Sequence, residues 1–489
     1  MLASQLRQAL QAADFTYDAV AGLLGPQAHA ALARNETAPG ARATGGGSPL
    51  ETLTRLFLLQ VPVPLARAEE ALPGLVDRLA VEGLLEQSVG EVAARLDVRP
   101  YATDDPERRD LWVVSDLTPG LDGAPNRVGA EHVLGISPAS TSLAQMTLRE
   151  PVGSALDLGT GCGVQALHLA THSDRVVATD VNPRALWMTR FNAALNEVEG
   201  IDVRDGSFFE PVASETFDLI ATNPPFVISP ATGERLVYRD SGLPGDRVVE
   251  HIVRTAPGLL NDGGWCQVLA NWVIERDRPW AERLEEWVPE GTDALVVQRE
   301  VLDPTAYVEL WLKDAGHHGG PDYVRRYDTW LSWFDEQGIE AVGFGWINLR
   351  KNGPTRGAAR ELVEWPYEVE QPIAPATARW AAAQDLLHRT DDLAALRLVT
   401  PGDVVQETQG TPGADDPETI VLRQQRGLRR ARQVDTVEAA LVGASDGELT
   451  VGQILDAVAS LLDQDAAGLR ETYLPVVAEL VAEGFLTGA

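Results

Sequence analysis

Ala155-Leu156-Asp157-Leu158-Gly159-Thr160-Gly161-Cys162-Gly163-Val164-Gln165-Ala166-Leu167 reads as a short buried strand, a glycine-rich turn and the start of an apolar-faced helix. Alternating glycines let the backbone turn tightly and let a ligand approach the main chain. A dinucleotide fingerprint would want glycine at 159, 161 and 164, but that last position is Val164. The pattern is Asp-x-Gly-x-Gly-x-Gly, with Asp157 inside the strand. A pyrophosphate prefers a helix N-terminus with no carboxylate beside it, so this loop favours a ligand with a cationic amino-acid end.

Downstream, residues 175–180 form a second candidate strand ending in Asp180, where the acid of a doubly wound sheet meets ribose hydroxyls. A third, residues 201–204, leads into Asp205-Gly206-Ser207-Phe208, where a carboxylate can accept from an adenine amino group. A fourth, residues 217–222, runs directly into Asn223-Pro224-Pro225-Phe226. That tetrapeptide suits a planar NH2 group. The Asn223 amide oxygen and the Pro224 carbonyl can each accept one of its hydrogens. The two prolines restrict the backbone so that both acceptors face one way. Phe226 can stack on the flat amide or base that carries the nitrogen.

These four elements, in this order, resemble the class I S-adenosylmethionine (SAM)-dependent methyltransferases over roughly residues 130–350. With Asn-Pro-Pro-Phe they resemble the branch that methylates amide or exocyclic amine nitrogens, which includes the HemK/PrmC-type glutamine methyltransferases and the RsmC-type ribosomal-RNA guanine methyltransferases. The resemblance implies an α/β fold with a Rossmann-like, seven-stranded sheet. It implies SAM as cofactor, with Asp157, Gly159 and Gly161 around the methionine portion, Asp180 on the ribose and Asp205 on the adenine. Thr160, Gly163, Ser207 and Asn223 complete that cofactor set. Asn223 and the Pro224 carbonyl would hold the substrate nitrogen, with Pro225 and Phe226 shaping its plane. In the segment 135–141, Ser140 and Thr141 are placed to touch the cofactor or to cap the next helix.

Composition bounds the rest. A chain of 489 residues exceeds one typical core. We expect three domains: a helical, winged-helix-like 1–125, the methyltransferase 126–360, and a winged-helix-like 361–489. The absence of a long apolar run or signal pattern points to a cytoplasmic protein with no membrane partner. Two cysteines and eight histidines, scattered without ligand spacing, predict no metal and no disulfide framework. Cys162 reads as packing, and His317-His318 as a solvated turn.

With 72 acidic against 40 basic residues, the net charge of −32 weakens any electrostatic attraction to nucleic acid. One local exception is the run Arg423, Arg426, Arg429, Arg430 and Arg432, read as paired with surrounding acids.

At the N-terminal end, residues 1–34 read as helices, 38–49 as a Gly/Ala/Pro-rich mobile loop, and 53–85 as two or three helices. A hairpin of 98–101 with 111–114, turning at Asp104-Asp105-Pro106-Glu107, closes them. Leu79-Ala80-Val81-Glu82-Gly83-Leu84-Leu85 is echoed by Leu480-Val481-Ala482-Glu483-Gly484-Phe485-Leu486. Neither copy carries a basic recognition helix, which argues against DNA. Past the tetrapeptide, a helix over 245–260, strands at 265–270 and 294–297, an aromatic-rich helix over 323–334 and a strand over 341–347 complete the central domain. Trp330, Trp333 and Phe334 read as core.

The segment 239–246 resembles the polar loop that follows the motif in HemK-type enzymes, which favours a protein or peptide glutamine or asparagine amide. Phe226 is the RsmC-like choice where HemK-type enzymes carry tyrosine, which keeps an RNA guanine or adenine amine open. A small-molecule acceptor and a non-catalytic SAM-binding scaffold complete the alternatives.

Overall fold

In the computed structural model, residues 2–103, 110–124, 128, 129, 131–230, 243–352, 357–411 and 417–489 are described. The central sheet is built from β1 (Val152–Leu158), β2 (Ser173–Asp180), β3 (Ile201–Asp205), β4 (Phe217–Thr222), β5 (Leu260–Glu275), β6 (Thr292–Leu302), β7 (Ile339–Lys351) and β8 (Arg360–Glu364). Their order across the sheet is β8-β6-β7-β5-β4-β1-β2-β3. The expected seven strands become eight: β8, a short half-buried run that the sequence pattern did not flag, adds to the edge beside β6.

Strands β1 to β5 are parallel to one another, and β7 runs antiparallel between β5 and β6. The inner strands are apolar on both faces, as a sheet covered by helices on both sides requires; Ala155 and Leu156 in β1 and Ile220 and Ala221 in β4 are all buried. Helices α1 (Pro138–Met146), α2 (Val164–Leu169), α3 (Pro183–Leu195) and α4 (Arg247–Thr255) lie along the chain around these strands. In α4, Val248, Val249, Ile252 and Val253 make one buried stripe at helical spacing. Between β6 and β7 the chain inserts α5 (Pro304–Asp314) and α6 (Tyr323–Glu336). Trp330 and Phe334 are buried, as expected, in a core with Val227, Ile228, Tyr307 and Trp311.

The described residues fall into two compact units, one of residues 1–144, 150–351 and 362–364, the other of 145–149, 352–361 and 365–489. In the first unit, no separate core marks off the N-terminal elements. Leu6, Leu10, Phe15, Phe57, Val98 and Trp112 pack in one cluster with Cys162 of the glycine loop and Met188 and Leu195 of α3. Residues 38–43, expected as a mobile loop, form a helix (Ala38–Ala43). Gly40 is there for fit, since a Cβ would come within 2.8 Å of Leu59. The hairpin closing the helical run is Leu85–Ser88 with Glu91–Ala94, joined by Val63–Pro64 in a three-stranded sheet. The expected hairpin exists as Leu96–Ala102 paired with Asp110–Asp116, but it is a sheet of its own, and its turn at 104–107 lies outside the described residues.

The echoed Leu-x-x-Glu-Gly-Φ-Leu is a helix stop used twice. The N–H of Leu84 donates to Leu79 O at 2.8 Å and that of Gly83 to Ala80 O at 3.1 Å. In the second unit Phe485 N–H donates to Leu480 O at 2.8 Å and Gly484 N–H to Val481 O at 3.0 Å. Both glycines sit at positive φ, 78° and 82°, the left-handed cap that only glycine adopts without strain. The second unit's core gathers Leu398, Leu422, Leu441, Leu455, Val477 and Phe485.

Candidate active site

Strand β1 has β2 on one side and β4 on the other, so a crevice opens at its carboxyl end where the strand order reverses. Leu158 and Thr222 face each other in register, and the Thr222 hydroxyl donates to Leu158 O at 2.7 Å. The glycine loop and the Asn-Pro-Pro-Phe therefore leave the sheet side by side. On the other flank, Asp180 and Asp205 are register partners at the ends of β2 and β3. The four sequence-predicted segments thus meet at one edge of the sheet.

Gly159, Gly161 and Gly163 have φ of 76°, 56° and 83°. A Cβ at Gly159 or Gly161 would meet nothing within 4 Å, so the loop offers bare backbone to open space. Gly163 differs: a Cβ there would come within 2.9 Å of Thr189, so this glycine permits packing against α3. The loop is braced. The N–H groups of Gly159 and Thr160 both donate to Thr179 O at 2.9 Å, Gly163 N–H donates to Thr160 O at 2.9 Å, and the Thr189 hydroxyl donates to Gly161 O at 3.1 Å.

Asp157 lies beneath this loop, buried, with one carboxylate oxygen accepting from the Thr160 hydroxyl at 2.6 Å and from Ala166 N–H at 2.9 Å. Burial pushes its pKa up to about 7, against the lowering effect of those two donors. Asp180 accepts from Gly161 N–H at 3.0 Å through one oxygen and from Asn182 N–H at 2.9 Å through the other. Burial, reinforced weakly by the charge of Asp205, raises its pKa. Each oxygen keeps a lone pair able to accept a further hydrogen bond. Asp205 is exposed and Ser207 half-buried, and the Ser207 carbonyl accepts from Glu210 N–H at 3.0 Å. Val181, next to Asp180, is 63% exposed, an apolar surface beside the crevice that the pattern reading passed over.

In the Asn-Pro-Pro-Phe, Asn223 Oδ1 is shielded from solvent and has no hydrogen-bond partner among the described residues. An orphaned buried acceptor costs about 1–3 kcal/mol, so it marks a place where a donor belongs. Pro224 is buried, and Pro225 and Phe226 are half-buried. The Phe226 ring meets Trp311 of α5 edge-on, with centroids 6.3 Å apart. Two residues on, Ile228 N–H donates to the Tyr307 hydroxyl at 2.8 Å. The insertion between β6 and β7 therefore holds the chain leaving the tetrapeptide, a contact that sequence spacing could not reveal.

Of the loop 239–246, residues 239–242 lie outside the described residues. Its end is anchored: Asp246 is buried, takes both terminal nitrogens of Arg283 at 2.7 and 2.8 Å, and accepts Val273 N–H at 2.7 Å. At the other entrance the capping falls to Ser137, whose hydroxyl accepts Ser140 N–H at 3.2 Å while Ser140 Oγ accepts Ser137 N–H at 2.8 Å. The Ser140 carbonyl is taken by the Gln165 amide at 2.6 Å. Cys162 is buried with its thiol pushed up to about 12, consistent with packing.

The arginine run of the second unit is engaged by acids. Arg423 pairs with Glu407, Arg429 with Glu368, Arg430 with Glu361, and Arg432 with Glu438, Glu479 and Glu483.

The methyltransferase small domain model matches residues 135–288, and two models described as domains of unknown function match 12–95 and 377–488. The chain is 37% identical over 127 residues to a release factor glutamine methyltransferase of Yersinia pestis, covering 24% of this chain and 46% of that protein. A release factor glutamine methyltransferase of Aliivibrio fischeri is 33% identical over 131 residues, 24% of this chain and 44% of that protein. A ribosomal RNA small subunit methyltransferase C of Erwinia tasmaniensis is 29% identical over 196 residues, 39% of this chain and 50% of that protein. The chain thus spans half or less of the length of these relatives. An rRNA methylase structure from Streptococcus thermophilus superposes with a TM-score of 0.27 at 12% identity, over 45% of this chain and 99% of that one, a likeness too slight to argue from. The family model spans the residues that build the crevice, and in this central part the chain is similar to the class I SAM-dependent methyltransferases.

Proposed function

We propose that the chain transfers a methyl group from SAM to a planar amide or amine nitrogen, and that its acceptor is a glutamine or asparagine side chain of a protein or peptide. The observation that carries this reading is Asn223: an orphaned amide oxygen one residue beyond the strand end that Thr222 ties to the glycine loop.

The residues fit the cofactor. Gly159 and Gly161 offer bare backbone, and Asp180 and Asp205 stand at adjoining strand ends. Asp157 serves this site from below, fixing the loop through one buried carboxylate oxygen. SAM, when bound, supplies a methyl group already activated by its sulfonium sulfur. The chain's own task is orientation. An amide nitrogen is a poor nucleophile because its lone pair is delocalised. Asn223 Oδ1 and the Pro224 carbonyl accept its two hydrogens and turn that lone pair toward the methyl. Both dipoles strengthen their hold as positive charge grows on nitrogen, worth about 3–4 kcal/mol per well-placed group in comparable sites. Phe226, backed by Trp311, keeps the acceptor's plane flat against the site. No strong base is required, because the proton on the alkylated nitrogen is acidic.

A protein acceptor is favoured by charge. The chain carries −32, and four of the five arginines in its basic run are neutralised by acids. The flanking modules, which we read as winged-helix-like from the helix–strand–helix–helix–strand–strand order at 49–94, would hold the protein substrate. The cytoplasm is the compartment we assign, consistent with two buried free thiols. The second reading is an RNA exocyclic amine, favoured by Phe226 and by the match of 196 residues to an rRNA methyltransferase. The test is transfer of tritiated methyl from SAM into a lysate of the source organism, by wild type and Asn223→Ala in parallel. Label released by protease alone supports a protein acceptor. Label released by ribonuclease alone overturns it in favour of RNA.

A further inference from the structure

Helix α3 carries Asn192 and is capped one turn later by Asn196, both buried, beside the buried Ala185, Met188, Thr189 and Leu195. A buried primary amide must fill one acceptor and two donors. Both do so against the edge of the N-terminal hairpin strand Asp110–Asp116. Asn196 accepts Trp112 N–H and donates to Trp112 O, each at 2.8 Å. Asn192 accepts Val114 N–H and donates to Val114 O, each at 2.8 Å. Side-chain amides thus mimic a neighbouring strand and satisfy an edge that would otherwise need a partner.

The two differ in one bond. Asn196 returns its second hydrogen contact to its own helix, at Asn192 O, whereas Asn192 donates to the carbonyl of Cys162 at 2.7 Å, inside the glycine loop. Cys162 stands between Gly161 and Gly163, both at positive φ. Its peptide link to Gly163 is held from both ends, the oxygen by Asn192 and the Gly163 N–H by Thr160 O. We infer that Asn192 is a positioning residue for the cofactor loop, and that through it the N-terminal hairpin strand and the SAM site form one cooperative element. Binding at the loop then orders Asp110–Asp116, and loss of the Asn192 bridge weakens binding by the same coupling. This rests on the SAM-binding reading above.

Asn196→Ala is the matched control. It deletes the same number of bonds to the same strand and none to the loop. The measurement is binding of S-adenosylhomocysteine to the full-length protein by calorimetry, beside urea unfolding. We expect Asn192→Ala to weaken binding roughly tenfold at a loss of stability like that of Asn196→Ala, which keeps wild-type affinity. Equal affinities for the two variants overturn the inference. Should Asn192→Ala not fold, hydrogen exchange of wild type decides. Slower exchange across 110–116 on adding S-adenosylhomocysteine supports the coupling, and protection confined to the glycine loop overturns it. Wild type that does not bind S-adenosylhomocysteine at all would bring down the SAM reading itself.

Discussion

The hydroxyl of Thr222 donates to the main-chain carbonyl of Leu158 across 2.7 Å, and this bond joins the last residues of the two strands that deliver the glycine loop and the Asn-Pro-Pro-Phe. Both residues are buried, at 0% and 4% exposure, so no water substitutes for the donor. Thr222→Val keeps the β-branched shape that a strand prefers and deletes only the hydroxyl. We expect a loss of about 1–3 kcal/mol in urea unfolding. A variant as stable as wild type would show that the strand ends need no such tie.

Asn223→Ala removes the orphaned acceptor without touching the loop. Turnover should fall by about two to three orders of magnitude, the range for one dipole aimed at developing charge, while affinity for S-adenosylhomocysteine stays within a factor of about two. Equal losses in both would make Asn223 a cofactor residue.

Tyr307 tests the insertion. Its hydroxyl accepts Ile228 N–H deep in an aromatic cluster, and burial raises its pKa far above the usual phenol range. Tyr307→Phe leaves that N–H unpaired, costing about 1–3 kcal/mol, and frees the chain just past Phe226. Methyl transfer should slow with S-adenosylhomocysteine affinity unchanged. A loss of stability with normal turnover would restrict Tyr307 to the core.

The pH dependence follows from Asp157. Its carboxyl titrates near 7 when folded, against 3.8 for the free side chain. Between these values the native state keeps a proton that the unfolded chain has released, so this group's stabilisation is complete below pH 4 and is lost as pH rises toward 7. Asp157→Asn keeps an acceptor for Thr160 and Ala166 and cannot ionise. Relative to wild type it should gain stability from about pH 4 to about pH 7 and level off above, by a few kcal/mol at most. A flat difference across that range in urea unfolding would mean that Asp157 titrates normally.

Much of the site was legible in one dimension because it depends on local backbone chemistry. Gly159, Gly161 and Gly163 could be read from the letters, since their φ values of 56–83° exclude other residues cheaply. The continuous apolar runs of β1, β2 and β4 are likewise local. The helix over 38–43 was misread because its glycine answers a distant side chain, Leu59, and not a turn. Helix α5 was missed although Asp303 caps it, Pro304 opens it and Tyr307, Val308, Trp311 and Leu312 recur at helical spacing; its role appears only when Tyr307 reaches Ile228.

The sequence by itself determined the parallel α/β sheet, the glycine loop, the strand-end acids and the Asn-Pro-Pro-Phe, because strand periodicity, glycine dihedrals and proline constraints act over a few residues. Tertiary structure alone decided that one oxygen of Asp157 braces the loop, that Asn223 keeps an unfilled acceptor, and that Asn192 ties the loop to a strand nearly eighty positions away (78 residues, at Val114). Those outcomes depend on which polar groups find partners once water is excluded, and a partner chosen across such a separation leaves no period or spacing in the chain.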